Sequence, residues 1–398
     1  MSVHRREFLG ALAVPFLVPG SQTAPLYDLV VKGGHVIDPD QGLSAVRDVA
    51  VSGTRIARVA PDIPAPTARR TIGATGLIVT PGLIDVHVHV YDGVASVAAV
   101  ADDTSLARGV TTVVDAGSAG ATTFQGFRKY IIAPSRTRIY AALNISTVGL
   151  TMLNELEDLS LVDPKAAAAV VTAHRDSIVA IKVRLGSGLP HGQDLEVLRR
   201  ARLASDESGV PLMLHIGGSS SPLDEILRVL RRGDMVTHTL REQPNGVIDA
   251  EGRVRDAFVA ARERGVWMDV AHGSGNFSWA TAERAAAQGW WPDTISSDLH
   301  ARNTAGPVHD LATTLSKFLL LGLSLEEVVA RASSGPAKVY RFPTGCGTLR
   351  EGAEADVAAF RLSSEPFVFA DSRKETRTGA RGLVPEVTLR AGEPVGHL

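Results

Sequence analysis

The sequence of 398 residues predicts an α/β chain: a (β/α)8 TIM barrel with a small β-sandwich built from both terminal segments. Three observations predict it. Between Gly82 and Asp298, short apolar runs alternate with amphipathic, Ala- and Arg-rich stretches. Outside that span the pattern changes to short strands and turns. Polar residues also recur at the ends of the apolar runs, where a barrel of this kind gathers its reactive groups.

In chain order, Tyr27–Lys32 leads through Gly33-Gly34 into His35–Pro39, and Ser52-Gly53-Thr54 joins Asp48–Val51 to Arg55–Val59 as a hairpin. Gly76–Thr80 closes the first β-rich segment. Ala355–Phe360 and Glu386–Leu389 are its counterparts near the other end, and neither group is large enough to bury a good core alone. The sandwich is therefore placed at 25–80 and 340–398, the barrel at 81–339. The barrel strands are Leu83–His89, Val110–Asp115, Ile139–Ile145, Val179–Arg184, Pro211–Ile216, Met235–His238, Val266–Val270 and Thr294–Ser297. Asp194–Ser208, Ser221–Arg232 and Gly252–Arg264 read as helices between them. No Gly-x-Gly-x-x-Gly follows the first strand and no Walker-type loop appears, which argues against dinucleotide binding.

Residues 1–24 stand apart. Arg5-Arg6-Glu7-Phe8-Leu9-Gly10 opens an apolar run, Ala11 to Val18, and small residues follow up to Ala24. This is the layout of a secretory signal, and the run is too short to span a bilayer. The paired arginines resemble a twin-arginine export signal, which implies a periplasmic or secreted protein with no stable membrane anchor. The alternative is a frayed basic terminus on a cytoplasmic protein. A formal net charge of −2 gives no case for nucleic acid as partner. The single cysteine, Cys346, leaves neither a disulfide framework nor a thiolate metal cluster available.

The chemistry centres on Pro81-Gly82-Leu83-Ile84-Asp85-Val86-His87-Val88-His89. Alternation on a strand puts His87 and His89 on one face, where two neutral imidazoles can grip one Zn²⁺-type ion. Hydrogen-bonded core histidines are the bland alternative. His215 and His238 end the fifth and sixth strands and Asp298 the eighth; each can instead be a loop histidine or a helix cap. Lys182 lies near the end of the fourth strand. A bare ammonium is costly there, so it is either ion-paired or neutralised. A neutral amine can take up CO2 as a carbamate, an anionic donor able to bridge two cations.

The Pro-Gly-Leu-Ile-Asp-x-His-x-His signature, with these strand ends, resembles the amidohydrolase superfamily from Tyr27 onward. The similar branch is the one with a binuclear metal centre, which includes dihydroorotases, dihydropyrimidinases and phosphotriesterase-like enzymes. That resemblance implies two divalent ions, Zn²⁺ in the first place. His87, His89, carbamylated Lys182 and Asp298 would hold one, and the carbamate, His215 and His238 the other. Cys346 lies outside the barrel, so the subgroup with a cysteine ligand is a poorer fit. Ile181-Lys182-Val183-Arg184, Asp269-Val270-Ala271-His272-Gly273 and Ser297-Asp298-Leu299-His300 are further similar to dihydroorotase-like deacetylases that act on small α-substituted carboxylates.

The mechanism so implied is attack of a metal-bridging hydroxide on an N-acyl or O-acyl bond, with Asp298 as base and then acid. Arg184 is the candidate for the carboxylate of a small anionic substrate, or else an ion pair that orders the rim. Tyr91 and His272 are candidates for substrate contact, or for support of a ligand. His191 and His300 are possible loop contributors; His35, His174, His309 and His397 read as surface residues. The competing functions are a cyclic amidase of dihydroorotase or hydantoinase type and a catalytically inactive binding protein of the same fold. Assembly into a homo-oligomer is left open.

Overall fold

The structure is a computed structural model, and it describes residues 25–186, 189, 192–340, 342 and 345–395. The export-type segment, His191 and His397 lie outside the described residues.

Both ends of the chain enter one sheet. Its N-terminal strands are β1 (Tyr27–Asp38), β2 (Leu43–Ser52), β3 (Arg55–Ala60), β4 (Ala68–Gly73) and β5 (Leu77–Pro81). The two runs read on either side of Gly33-Gly34 are one strand, β1, whose register shifts between Val31 and Gly34. A glycine is required there: Gly33 has φ +77°, in the left-handed region.

The chain then runs straight into the ring. Its strands are β6 (Leu83–Val88), β7 (Val110–Gly120), β8 (Arg138–Asn144), β9 (Ile178–Leu185), β10 (Leu212–Ile216), β11 (Met235–Thr237) and β12 (Trp267–Met268). They pair in sequence order and in parallel. The predicted eighth strand has no regular ladder, yet its backbone reaches both open edges. Val270 N donates to Thr294 O (3.2 Å) and Gly273 N to Ser297 O (2.9 Å) on one side. On the other, Asp298 N donates to His87 O (2.7 Å) and His89 N to Leu299 O (2.9 Å). Segment 294–299 thereby closes the ring. The expected helices form at Gln193–Ser208, Leu223–Arg228 and Asp256–Glu263, the last two shorter than read.

After the ring come β13 (Val357–Ser363), β14 (Phe367–Ala370), β15 (Thr376–Gly379), β16 (Gly382–Arg390) and β17 (Glu393–Pro394), of which β13, β16 and β17 join the first sheet. β13 lies between β5 and β16, and β14 with β15 forms a separate hairpin. Of the expected sandwich, the pairing shows one sheet of eight strands, β1–β5, β13, β16 and β17, built from both terminal segments. Val31, Val36, Val49, Val79, Val357 and Leu389 gather in one buried cluster, so residues from both chain ends share a core.

Inside the ring, Ile84, Val86, Val114, Ala116, Ala180, Met213 and Met235 form an apolar floor, sealed by Val339 and Tyr340. Ile84 and Val86 belong to that floor, so strict alternation would turn Val88 inward next. The ladder shifts between Asp85 and Val88, and the shift brings His87 and His89 to the mouth instead. Among the described residues, no helix is long and apolar enough to cross a membrane.

Candidate metal centre

The strand ends converge as the sequence reading requires. One donor atom from each of His87, His238 and Asp298 lies within 4.8 Å of the others, and all three residues are buried. Asp298 Oδ1 is 3.2 Å from His89 Nε2 and 3.5 Å from His87 Nε2. The His215 and His238 rings are 4.1 Å apart between centres, and His238 is 5.0 Å from His87. Lys182 Nζ sits 3.2 Å from His87 Nε2 and 3.7 Å from Met213 Sδ. Among the described residues no carboxylate comes within ion-pair distance of that nitrogen.

Burial sets the protonation states. It pushes the His87 and His215 imidazoles well below their ordinary range, helped at His87 by Lys182 and at His215 by His238. It brings His238 down to about 3. These rings are neutral at physiological pH, the form in which imidazole binds a cation. Lys182 is drawn down to about 7, chiefly by desolvation. At Asp298, burial works to raise the carboxyl, but the hydrogen bond from His89 and the field of His238 outweigh it and hold it low.

A set of buried groups fixes the orientation of these side chains. Nδ1 of His238 is bonded to Ala271 O at 2.7 Å, which turns Nε2 inward, where it is buried with no hydrogen-bond partner among the described residues. Ser118 Oγ lies 3.1 Å from His89 Nδ1, and Asp115 anchors Ser118 N (2.7 Å) and Val90 N (2.9 Å). Asp85 accepts from Ser297 N, His87 N and the Ser297 hydroxyl, joining the first strand to the last. Backbone strain concentrates in the same place: His238 and Asp298 have φ of +68° and +51°, unusual for residues with a Cβ. Gly117 and Gly273 leave room, since a Cβ at either would lie 2.6 Å from Lys182 Cγ or 2.2 Å from Asp298 Oδ2.

The amidohydrolase family model matches residues 78–395, which takes in the whole ring and all the strands that follow it. The chain belongs to the amidohydrolase family. A deacetylase of Enterococcus faecalis is 33% identical over 92% of this amidohydrolase and 98% of its own length. A deacetylase of Agrobacterium fabrum is also 33% identical, over 87% and 86%. Among solved structures, one described as an adenine deaminase superposes with a TM-score of 0.86 at 32% identity, covering 92% of this chain and 99% of its own. One described as a dihydroorotase gives 0.83 at 31%, covering 92% and 98%. The family makes this amidohydrolase a hydrolase acting on carbon–nitrogen bonds.

Of the three residues read as candidates for substrate contact, one lines the cavity of this amidohydrolase. Arg184 lines the cavity above the centre, but Nε and Nη2 bind the two oxygens of Glu155 at 2.7 and 2.6 Å, and Nη2 also bonds Leu153 O. Tyr91 turns away from the cavity: its ring packs on Phe127 and its hydroxyl donates to Thr123 O. His272 lies fully buried on Phe277, 2.7 Å from Lys317 Nζ. His300, read only as a loop contributor, does line the cavity, as do Ser274, Arg302, Val97, Leu150 and Leu153. No sequence signal singled out Ser274 or Arg302, because they sit on loops whose course the alternation of apolar residues does not encode.

Proposed function

We propose that this amidohydrolase is a binuclear, metal-dependent deacetylase that removes an acyl group from the α-amino or α-hydroxy group of a small carboxylate. One observation carries the reading: Lys182 is buried beside imidazoles, and among the described residues no acid lies within ion-pair distance of it. A bare ammonium is unfavourable there, and with its pKa near 7 much of it is free amine at neutral pH. That amine can add to the carbon of CO2, forming an N–C bond and releasing one proton. The product carbamate is the anionic bridge that the set of donors otherwise lacks.

In this reading His87, His89, Asp298 and a carbamylated Lys182 would hold one cation, and Lys182, His215 and His238 a second. The donors fit such ions: neutral imidazoles, an ionised carboxylate, and a buried His238 Nε2 with no hydrogen-bond partner among the described residues. Bound there, divalent cations supply Lewis acidity, acidifying water and polarising the acyl carbonyl. The chain supplies the proton transfers. Asp298, ionised and facing His89, takes a proton on its carboxylate oxygen and returns it to the departing nitrogen or oxygen. Asp85 and Asp115 keep the first strand and its histidines in register. Relatives named deacetylase support acyl transfer to water as the reaction.

Metal analysis and a hydrolysis screen test the reading together. Purified protein should carry near two equivalents of a divalent ion and release acetate from acetylated α-amino or α-hydroxy acids. Lys182→Ala should abolish turnover, and added short carboxylic acids should restore part of it; full activity in that variant would rule out the carbamate. Ring opening of dihydroorotate or hydantoins, with no deacetylation, would make it a cyclic amidase instead.

A further inference from the structure

We propose that Lys317 is a positioning residue for the metal centre: through His272 it holds residues 271–273 in the conformation that aims His238 and Asp298 at the cations. The inference rests on the metal-dependent reading above and extends it to a side chain that touches none of the proposed ligands.

A lysine with no surface in water is costly unless each of its protons finds an acceptor. Lys317 is such a residue, fully buried on the helix Leu311–Leu321. Among the described residues no carboxylate comes within ion-pair distance of it. Its Nζ donates instead to Ala370 O at 2.7 Å, to Pro307 O at 2.9 Å and to His272 Nε2 at 2.7 Å. Three protons thus meet three acceptors from three separate segments. Burial draws the amine down to about 7, and these acceptors favour its charged form. The other ring nitrogen fixes the direction of the third bond. Nδ1 of His272 donates to Gly273 O at 2.9 Å, so Nε2 carries the lone pair that receives the ammonium. Phe277 stacks on the same ring, 4.5 Å between centres.

What this clamp holds is the backbone between two proposed ligands. Ala271 O accepts from His238 Nδ1, and Gly273 lies so close to Asp298 that a Cβ on it would be 2.2 Å from Oδ2. His272 N and Gly273 N donate to Ser296 O (3.2 Å) and Ser297 O (2.9 Å), on the segment that leads into Asp298. The turn does not hold itself: Ala271 has φ +40°, where a residue with a Cβ is strained. A swing of the His272 ring would therefore displace the acceptor of His238 and the neighbour of Asp298 together. An apolar side chain at position 317 would fill the space without setting the direction of that ring. The ammonium sets it.

The test measures zinc affinity by competition with a chromogenic chelator, alongside kcat and KM for an acetylated α-hydroxy acid. The proteins are wild type, Lys317→Met, His272→Leu, His272→Gln and the double variant Lys317→Met with His272→Leu. Asp102→Asn, destabilised at a connection outside the centre, controls for a merely structural loss. Lys317→Met should weaken zinc binding and lower kcat about 10- to 100-fold, the loss typical when a ligand loses its orienting partner, with KM little changed. The double variant should be no weaker than Lys317→Met alone, because both changes remove one contact. His272→Gln keeps an acceptor for Nζ and should recover part of what His272→Leu loses. Asp102→Asn should lower the urea midpoint and leave zinc affinity unchanged. Additive losses in the double variant, or wild-type zinc affinity in Lys317→Met, would overturn the proposal. If Lys317→Met does not fold, His272→Leu reads the same contact from the other side, and wild-type zinc affinity there is equally fatal. Weaker zinc binding in the variants, with no acetate released by wild type, would keep the positioning role and discard the deacetylase reading. Unchanged zinc binding in the variants, while wild type releases acetate, would discard the role alone.

Discussion

At the scale of single residues, the ring mouth is governed by which charges have partners. Among the described residues, neither Lys182 nor Arg302 has a carboxylate within ion-pair distance, whereas Arg184 has a complete partner in Glu155. The last pair gives a clear energetic expectation. Arg184→Met leaves Glu155 buried with no counter-charge and should cost about 2–3 kcal/mol. This is less than the 3–5 typical of a fully buried pair, because the Arg184 side chain keeps 25% of its surface in water. Adding Glu155→Gln should recover most of that loss, and urea denaturation of the two variants checks it. A double variant as unstable as the single one would mean that the cost lies in lost packing of the arginine stem. The same scale marks the limit of reading side chains from sequence. Tyr91 and His272 stand in the right stretches, but the direction the Tyr91 ring faces is decided by Phe127 and that of His272 by Phe277 and Lys317, of which Phe127 and Lys317 are distant along the chain.

At the scale of elements, short connections are pinned by carboxylates that accept several backbone N–H groups. Asp48 takes Gly33 N and Ile63 N (2.7 and 2.8 Å), tying β1 to the turn after β3. Asp102 takes Thr137 N and Arg136 N (2.8 and 3.1 Å) just before β8. Asp194 takes Ser221 N (2.7 Å) ahead of the helix Leu223–Arg228. Burial works to raise all three carboxyls, and the hydrogen bonds overcome it, holding each below its usual range. Because the folded pKa is the lower one, this stabilisation is complete above about pH 4, the unfolded value, and fades as pH falls through the folded one. Asp102→Asn should therefore be less stable than wild type at pH 7, and the gap should close below pH 4. Urea midpoints at pH 7 and pH 3 decide it; a gap independent of pH would remove the charge from the explanation.

The strands were legible for the same local reason that makes them strands: apolar runs bounded by turn residues. The eighth was legible as a run but not as a ladder. It carries Asp298 at φ +51° and bends to meet both neighbours, so its hydrogen bonds are too irregular for a continuous strand. The first sheet was legible in its members and not in its pairing, since β13 slotting between β5 and β16 is a contact between distant segments. The donor set was readable because each histidine follows an apolar run. The loops bearing Arg302 and Ser274 offered no such frame.

At the scale of the whole molecule, the proposed cations would be cross-links. Their donors come from β6, β9, β10, the end of β11 and the closing segment, so they would tie together most of the ring. Stripping with a chelator should lower Tm, and readdition at a free concentration a hundredfold above Kd should restore about 2.7 kcal/mol. An unchanged Tm in metal-free protein would indicate a ring that holds its shape unaided.

The seam between Asp85 and Ser297, 212 residues apart, also has a consequence for how the chain is made. On the ribosome, His87 and His89 emerge long before Asp298, and for most of translation the two imidazoles have neither the carboxylate nor the backbone that holds them in place. Loading of the proposed cations would thus be a step for the finished chain, and nascent chains ending ahead of Thr294 should fail to retain them.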